Sequence, residues 1–337
     1  MKNRANYFTA VITSLFLLLL MINGKTATAG VTDGIDICMR VIIPSLFPYF
    51  VVTAYLNENL LGCSLPGMQC TSKMLRIPNG CQMLLPLGLI GGYPVGAKLI
   101  AELYKSKSMD KQTAHILMGY CNNAGPAFIF GIAGATFSSP LIAVLLWIIH
   151  ITSAIITGIL LPKPNIAEVN ISTHRMSLPD IIKNSVSAMA SVCSWIIIFK
   201  VLLSYLNQWI PSILQSPAGI LLTGFLELSN GCISASQLSA PATKFIVYAI
   251  FFGFGGLCVL LQTVSVTGDL GIGLYFHGKI IQTCISFILA LVTSTLLFAD
   301  LRLSIRDICL TTILSAAVII LTLQNAKKCG NPIHNHV

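Results

Sequence analysis

The sequence predicts an all-α polytopic membrane protein of about eight spans and two re-entrant hairpins, laid out as an inverted repeat of span, hairpin, broken span and span. Three observations carry this. Of 337 residues, 55% are hydrophobic and 9% charged, with a mean hydropathy of +0.83, where soluble domains carry about a quarter charged residues. Apolar runs such as 8–22, 140–161, 185–206 and 284–299 approach or reach the roughly 20 residues that a bilayer-spanning helix needs. Two further apolar pieces, 81–104 and 217–238, are interrupted near their middles, leaving arms of about 8 to 10 residues that can enter and return but not cross.

The elements follow in order. Residues 1–30 hold an N-terminal membrane helix, with a span over 8–23. Lys2 and Arg4 before it and "ATAG" (27–30) after it also have the form of a signal peptide. Another membrane segment follows rather than a secreted domain, which favours a retained helix. Residues 31–162 form the first repeat: span 35–56, hairpin 81–104, broken span 113–135, span 140–161. Residues 163–300 repeat the order: span 180–206, hairpin 217–238, broken span 244–267, span 272–298. A last span, 305–323, and a tail make up 301–337.

Each hairpin rests on its backbone chemistry. The first holds "GLIGGYPVG" and the second "TGFLELSNGC". Glycine frees the backbone and proline removes a donor, so Gly91, Gly92, Pro94 and Gly96 break the first piece. Broken backbone survives in hydrocarbon only where protein or a wet cavity surrounds it.

The loop charges agree. Lys2 and Arg4, then Lys73 and Arg76, then Lys105, Lys107 and Lys111, then Lys163, Arg175 and Lys183, and finally Lys327 and Lys328 fall on one side if the first hairpin returns to the side it entered. That side is the cytoplasm, with both termini in it. Arg302 and Arg306 lie on the other side and depart from the rule. Internal echoes support the repeat: "TAYLNENLL" (53–61) with "LSYLNQWI" (203–210), "LLPLGLIGG" (84–92) with "ILLTGFLEL" (220–228), and "MGYCNNAG" (118–125) with "FGFGGLCV" (252–259). Inverted repeats with broken helices meeting at the midplane are the architecture of secondary transporters.

The candidate substrate-binding residues lie at these breaks. In "CNNAGPAF", Pro126 after Gly125 suits the first position of a new half-helix, whose positive end favours an anion. Asn122 and Asn123 offer amides there, either to substrate or from helix to helix. Gly255 and Gly256 permit close approach, and Gln262 adds a third amide. Tyr93 sits at the first hairpin's tip, and Lys98 just beyond it either meets an anionic substrate or snorkels to the headgroups. In the second hairpin Glu227, with Ser229 and Asn230, is a candidate to carry a proton or bind a cation, the alternative being a loop-tip glutamate in an outer vestibule. Arg40 and Lys200, near repeat-related span positions, snorkel, and His150 and His277 are expected to pack.

Other classes find no support. The formal charge of +9 comes from short loops that set topology, with no basic motif interleaved with aromatics, so nucleic acid is not an expected partner. The eleven cysteines are scattered, without Cys-x-x-Cys or Cys/His spacing, and read as small apolar packing residues. No nucleotide-binding loop, catalytic triad or metal constellation is apparent, so neither an enzyme nor a cofactor is expected. The expected partners are a small-molecule substrate and the lipid bilayer.

The strings "IPSLFPYFVV" (43–52), "GLIGGYPVGAKLIAELY" (88–104), "CNNAGPAFIFGIAG" (121–134) and "FGFGGLCVLLQ" (252–262) resemble the sporulation integral membrane protein family of YlbJ type, within the nucleoside-recognition Gate group related to concentrative nucleoside transporters. The resemblance runs from about residue 8 to 325. It implies export of dipicolinic acid from the mother cell across the outer forespore membrane of an endospore former. Alternatives are a nucleoside or nucleobase transporter, or a non-transporting scaffold; the scaffold needs large polar loops, and none exceeds the 162–183 stretch. The related transporters imply a trimer. Their acidic residue for cation coupling has no match at 91–98, leaving only Glu227 for that part.

Overall fold

The computed structural model describes residues 2–60, 68–164, 176–298 and 305–330, and among them it contains helices and no strand. Helix α1 (Lys2–Ile22) turns at Asn23 into a continuous helix made of α2 (Gly24–Ile37), a π turn (Cys38–Ile42) and α3 (Ile43–Leu60). The helix therefore begins at Gly24 rather than near 35, and the expected boundary at 30/31 falls inside it. Its π turn precedes Pro44 and Pro48, which remove two backbone donors, and such bulges mark irregular helices at functional sites.

The rest of the first half is α4 (Gln69–Leu75), α5 (Leu84–Gly91), α6 (Val95–Lys105), α7 (Lys111–Cys121), α8 (Pro126–Phe137) and α9 (Pro140–Leu160). The second half is α10 (Leu178–Trp209), α11 (Pro211–Leu214), α12 (Pro217–Leu226), α13 (Leu228–Ser236), α14 (Pro241–Phe254), α15 (Gly256–Thr267) and α16 (Tyr275–Leu297), followed by α17 (Ile305–Gly330). The tail beyond 330 and the Arg302 region lie outside the described residues. Among the described residues seven helical stretches are long and apolar enough to cross a membrane, counting α7–α8 and α14–α15 each as one interrupted span. The apolar part of α1, Thr13–Ile22, where a span over 8–23 was expected, is too short to be among them. The chain is an all-α polytopic membrane protein.

Local sequence sets the starts. Asp110 caps α7 by accepting from the Thr113 N–H at 2.9 Å, and Ser216 caps α12 by accepting from Gly219 at 3.1 Å. Prolines open α8, α9, α12 and α14, where a missing N–H costs nothing.

Both short helix pairs are hairpins. At about 1.5 Å per residue, none of their four arms exceeds roughly 17 Å, against a hydrocarbon core of about 30 Å. Each closes on a glycine pair disposed symmetrically about its turn. In the first, Gly88 and Gly96 face one another and both press on the Cys121 carbonyl that ends α7. In the second, Gly224 and Gly231 meet and both lie on the Phe251 ring of α14. The echo of 84–92 in 220–228 puts Gly88 and Gly224 at the same place, and both sit at a hairpin crossing.

Candidate functional site

Four breaks converge in the middle of the bundle. The first hairpin turns through Gly92 (φ 76°), Tyr93 and Pro94, and Gly92 lies against the Gly125 backbone where α7 gives way to α8. The second turns on Glu227 alone, and its Leu226–Leu228 backbone lies against Gly256 where α14 gives way to α15. Gly255 and Gly256 take φ of 85° and 86°, which other residues rarely adopt. Helices α6, α8, α13 and α15 all begin at this level. Of these, α13 has a side-chain cap, whereas α6, α8 and α15 have none.

Between the breaks lies a cavity of about 40 Å³, lined by residues that include Tyr93, Gly125, Phe128, Glu227, Ser229 and Gln262. Its walls also take Ile42 and Leu46 from the π turn and α3, and Val192 and Ile196 from α10. These pair at the offset of 150 that relates "TAYLN" to "LSYLN": Ile42 with Val192, Leu46 with Ile196. Tyr93 pairs with Ser229 at the hairpin offset of 136, and Gly125 with Val259 and Phe128 with Gln262 at the broken-helix offset of 134.

Two more hollows flank the centre. A vestibule of about 710 Å³ opens beside the second hairpin and is lined by Lys25, Asp33, Lys200, Asn207, Asn230 and Ser234 among others. A crevice of about 40 Å³ lies beside the first hairpin, lined by residues that include Asn57, Pro94, Lys98 and Glu102. They match as well: Asn57 with Asn207, Pro94 with Asn230, Lys98 with Ser234. Each hairpin tip is thus the wall between the central cavity and one flanking hollow. On the vestibule side that wall is the Glu227–Asn230 turn.

Glu227 is 2% exposed and caps α13, its carboxylate accepting from the N–H groups of Ser229 (3.0 Å) and Asn230 (2.7 Å) and from the Asn230 side-chain amide (2.6 Å). Burying a carboxylate is tolerable when donors and a helix N-terminus meet it.

The asparagines tie the break to its neighbours. Asn122 accepts from the Ala97 N–H of α6 at 3.3 Å and donates to Thr263 of α15 at 3.1 Å. Asn123 donates to the Tyr120 carbonyl at 2.7 Å. The Ala124 N–H donates to His150 Nε2 of α9 at 3.1 Å, so His150 satisfies broken backbone rather than merely filling space.

The sequence did not single out Lys279, which proves to be the buried cation of the site. Gly278 lets α16 press its backbone onto Gly119 of α7, and that close crossing carries Lys279 to the break. Lys279 is 1% exposed and donates to Gln282 Oε1 (2.6 Å), Asn123 Oδ1 (3.2 Å) and the Tyr93 hydroxyl (3.2 Å). Its Nζ also lies 5.2 Å from the Tyr93 ring centre and 5.6 Å from that of Tyr275. Gln282 completes the cluster by donating to Asn123 Oδ1 at 3.0 Å. The signal was available: a lysine within the apolar run 272–298 is a functional candidate by default.

The remaining candidates stand elsewhere. Lys98 is half-buried in the crevice, behind the first hairpin tip from the central cavity. Gly91 abuts Val95, and Pro126 opens α8 as expected. Arg40 pairs with Asp36 (2.5 Å) one turn away, and Lys200 with Asp33 (3.7 Å) at the vestibule. Among the described residues no cluster of His, Cys, Asp and Glu is suited to a metal ion.

No family model matches the chain, and no solved structure does. The chain is similar to the sporulation integral membrane protein YlbJ of Bacillus subtilis (strain 168), at 23% identity over 338 aligned residues that cover 83% of this chain and 81% of that protein. The resemblance to the YlbJ type that the motifs carry is thereby supported over most of the chain.

Proposed function

Proceeding from this likeness to a sporulation membrane protein, we propose that the chain is a transporter of a small anionic metabolite, with dipicolinate as its substrate, and that it acts in sporulation at the outer forespore membrane. Its two halves are inverted repeats, and the substrate passes through the central cavity.

The observation that carries this is the matched lining of the three hollows. Positions related by the sequence echoes face one another across the central cavity, and positions related in the same way line the vestibule and the crevice at opposite sides of it. A pseudo-two-fold axis through a central site, with one hairpin guarding each approach, is what alternating access requires. The vestibule is within the size of ligand sites, whereas the central cavity has room for about one water, so this conformation is open at one end and closed around the centre. The basic loops favour an orientation with the crevice toward the cytoplasm and the vestibule on the far side. The uncapped start of α8, facing the cavity, suits a carboxylate.

Uptake into proteoliposomes tests this. Labelled dipicolinate should enter vesicles holding the protein faster than empty ones and should be competed by unlabelled dipicolinate. Saturable uptake of a nucleoside instead would assign the Gate-type alternative, and transport of neither by well-folded protein would favour a scaffold.

A further inference from the structure

We infer that Lys279, acting with the Tyr93 hydroxyl, is the anion-recognition group of the central site; this rests on the transporter reading above and names the group that selects its substrate's charge. Among the described residues two charged side chains are buried, Glu227 and Lys279, and they are compensated very differently. Glu227 faces three donors at the start of α13, so both its lone pairs and its charge are met. Lys279 meets three neutral oxygens and no carboxylate. The nearby His150 accepts the Ala124 N–H at Nε2, and that leaves its ring neutral with the proton on Nδ1. Three acceptors around one amine fit its ammonium form, whose charge meets no counter-ion among the described residues. A buried ion without a counter-ion is costly, and an arriving anion removes the cost.

Tyr93 relays that charge to the cavity it lines. Its oxygen accepts from Lys279, so the phenol hydrogen is left to donate. It now reaches the Phe252 carbonyl over a long 3.4 Å and is readily redirected to a carboxylate in the cavity. Helix α9, which packs against α16, bears no Asp, Glu, Lys or Arg.

The test is thermal unfolding of the purified full-length protein in detergent, at constant ionic strength, with a panel of dipicolinate, pyridine-2-carboxylate, phosphate and chloride, and with neutral pyridine-2,6-dimethanol as control. At least one carboxylate should stabilise the wild type and the neutral analogue should not. Lys279→Met should unfold without ligand at the wild-type temperature or above, because replacing a buried charge by an apolar chain of similar size is often neutral or stabilising. Its apparent affinity for the anion should fall roughly 10- to 150-fold. Tyr93→Phe should show a smaller loss, and Lys279→Arg should retain part of the response.

Anion stabilisation undiminished in Lys279→Met overturns the inference while leaving the transporter reading intact. Should that variant fail to fold, Lys279→Gln, which keeps a donor for Asn123 and Tyr93, decides in the same way. A wild type stabilised by no anion overturns it too. Stabilisation by pyridine-2-carboxylate but not dipicolinate, lost in Lys279→Met, upholds the role of Lys279 and removes dipicolinate as the substrate.

Discussion

Gly96→Ala tests whether the first hairpin is locked onto the broken helix or merely leans on it. A methyl added at Gly96 would fall on the Cys121 carbonyl oxygen, 2.8 Å from its carbon and 3.0 Å from the Asn122 Cα. Ordinary contact begins near 3.4 Å, so the backbone at the end of α7 would have to retreat by at least 0.6 Å from the carbon alone. Backbone cannot turn aside as a flexible side chain can. Overpacking costs about 1–3 kcal/mol, and a backbone neighbour puts this site at the upper end. The fall in stability should be about 3 kcal/mol, or roughly 4 °C in melting temperature for a chain of this size. Dipicolinate uptake should fall with it, because Asn122 and Asn123 move with Cys121. Gly131→Ala and Gly134→Ala, where nothing lies within 4 Å, serve as controls and should stay within about 0.5 kcal/mol of the wild type. Melting of detergent-purified protein followed by intrinsic fluorescence measures this. A Gly96→Ala protein that melts and transports like the controls would refute the locked hairpin.

Glu227→Gln keeps the size of the side chain but gives up one of its two accepting oxygens, so it should cost about 1–2 kcal/mol in thermal unfolding and loosen the wall between vestibule and cavity; unchanged melting would deny the cap its role. Lys98→Gln should change the half-saturation for dipicolinate uptake by less than about threefold, since this lysine lines the crevice and not the cavity, and a fall of about tenfold or more, equivalent to losing a charge-assisted hydrogen bond, would return it to the substrate site. In a cysteine-free background, Lys73→Cys and Lys107→Cys should react with an impermeant maleimide from the same face of the membrane and Ser212→Cys from the other; labelling of 73 and 107 from opposite faces would end the re-entrant assignment of the first hairpin.

Much of this fold was legible because its punctuation is local. A glycine that must take a positive φ, such as Gly92 or Gly255, and a proline that opens a helix, such as Pro126, announce themselves in a few residues. The echoes at 53–61 and 203–210 were short, yet they named Asn57 and Asn207, which line matching hollows. Lys279 escaped because its span has no break of the kind that drew attention elsewhere, and, Gln282 apart, its partners come from residues about 156 to 186 positions away. Lys98 drew attention for the opposite reason, being within the most conspicuous motif, although it lines the crevice and not the central cavity. The length of the second hairpin's turn was not legible in its sequence; it takes a single extended residue, Glu227, which itself caps α13.

The thinness of the two hairpin tips has an electrical consequence. The vestibule, walled by lysines, an aspartate and amides, admits water down to Asn230, so the potential of the bathing solution extends to mid-bundle along it. On the transporter reading, the transmembrane voltage then drops from the second hairpin's turn onward, over less than the whole hydrocarbon thickness. Moving one charge through the full potential is worth about 2.3 kcal/mol per 100 mV. An anion moving as proposed would cross the vestibule almost without electrical work and meet the field from Asn230 onward, past the Glu227 turn. The proposed transport would then feel the voltage first at the Glu227 turn, where a single side chain can alter it.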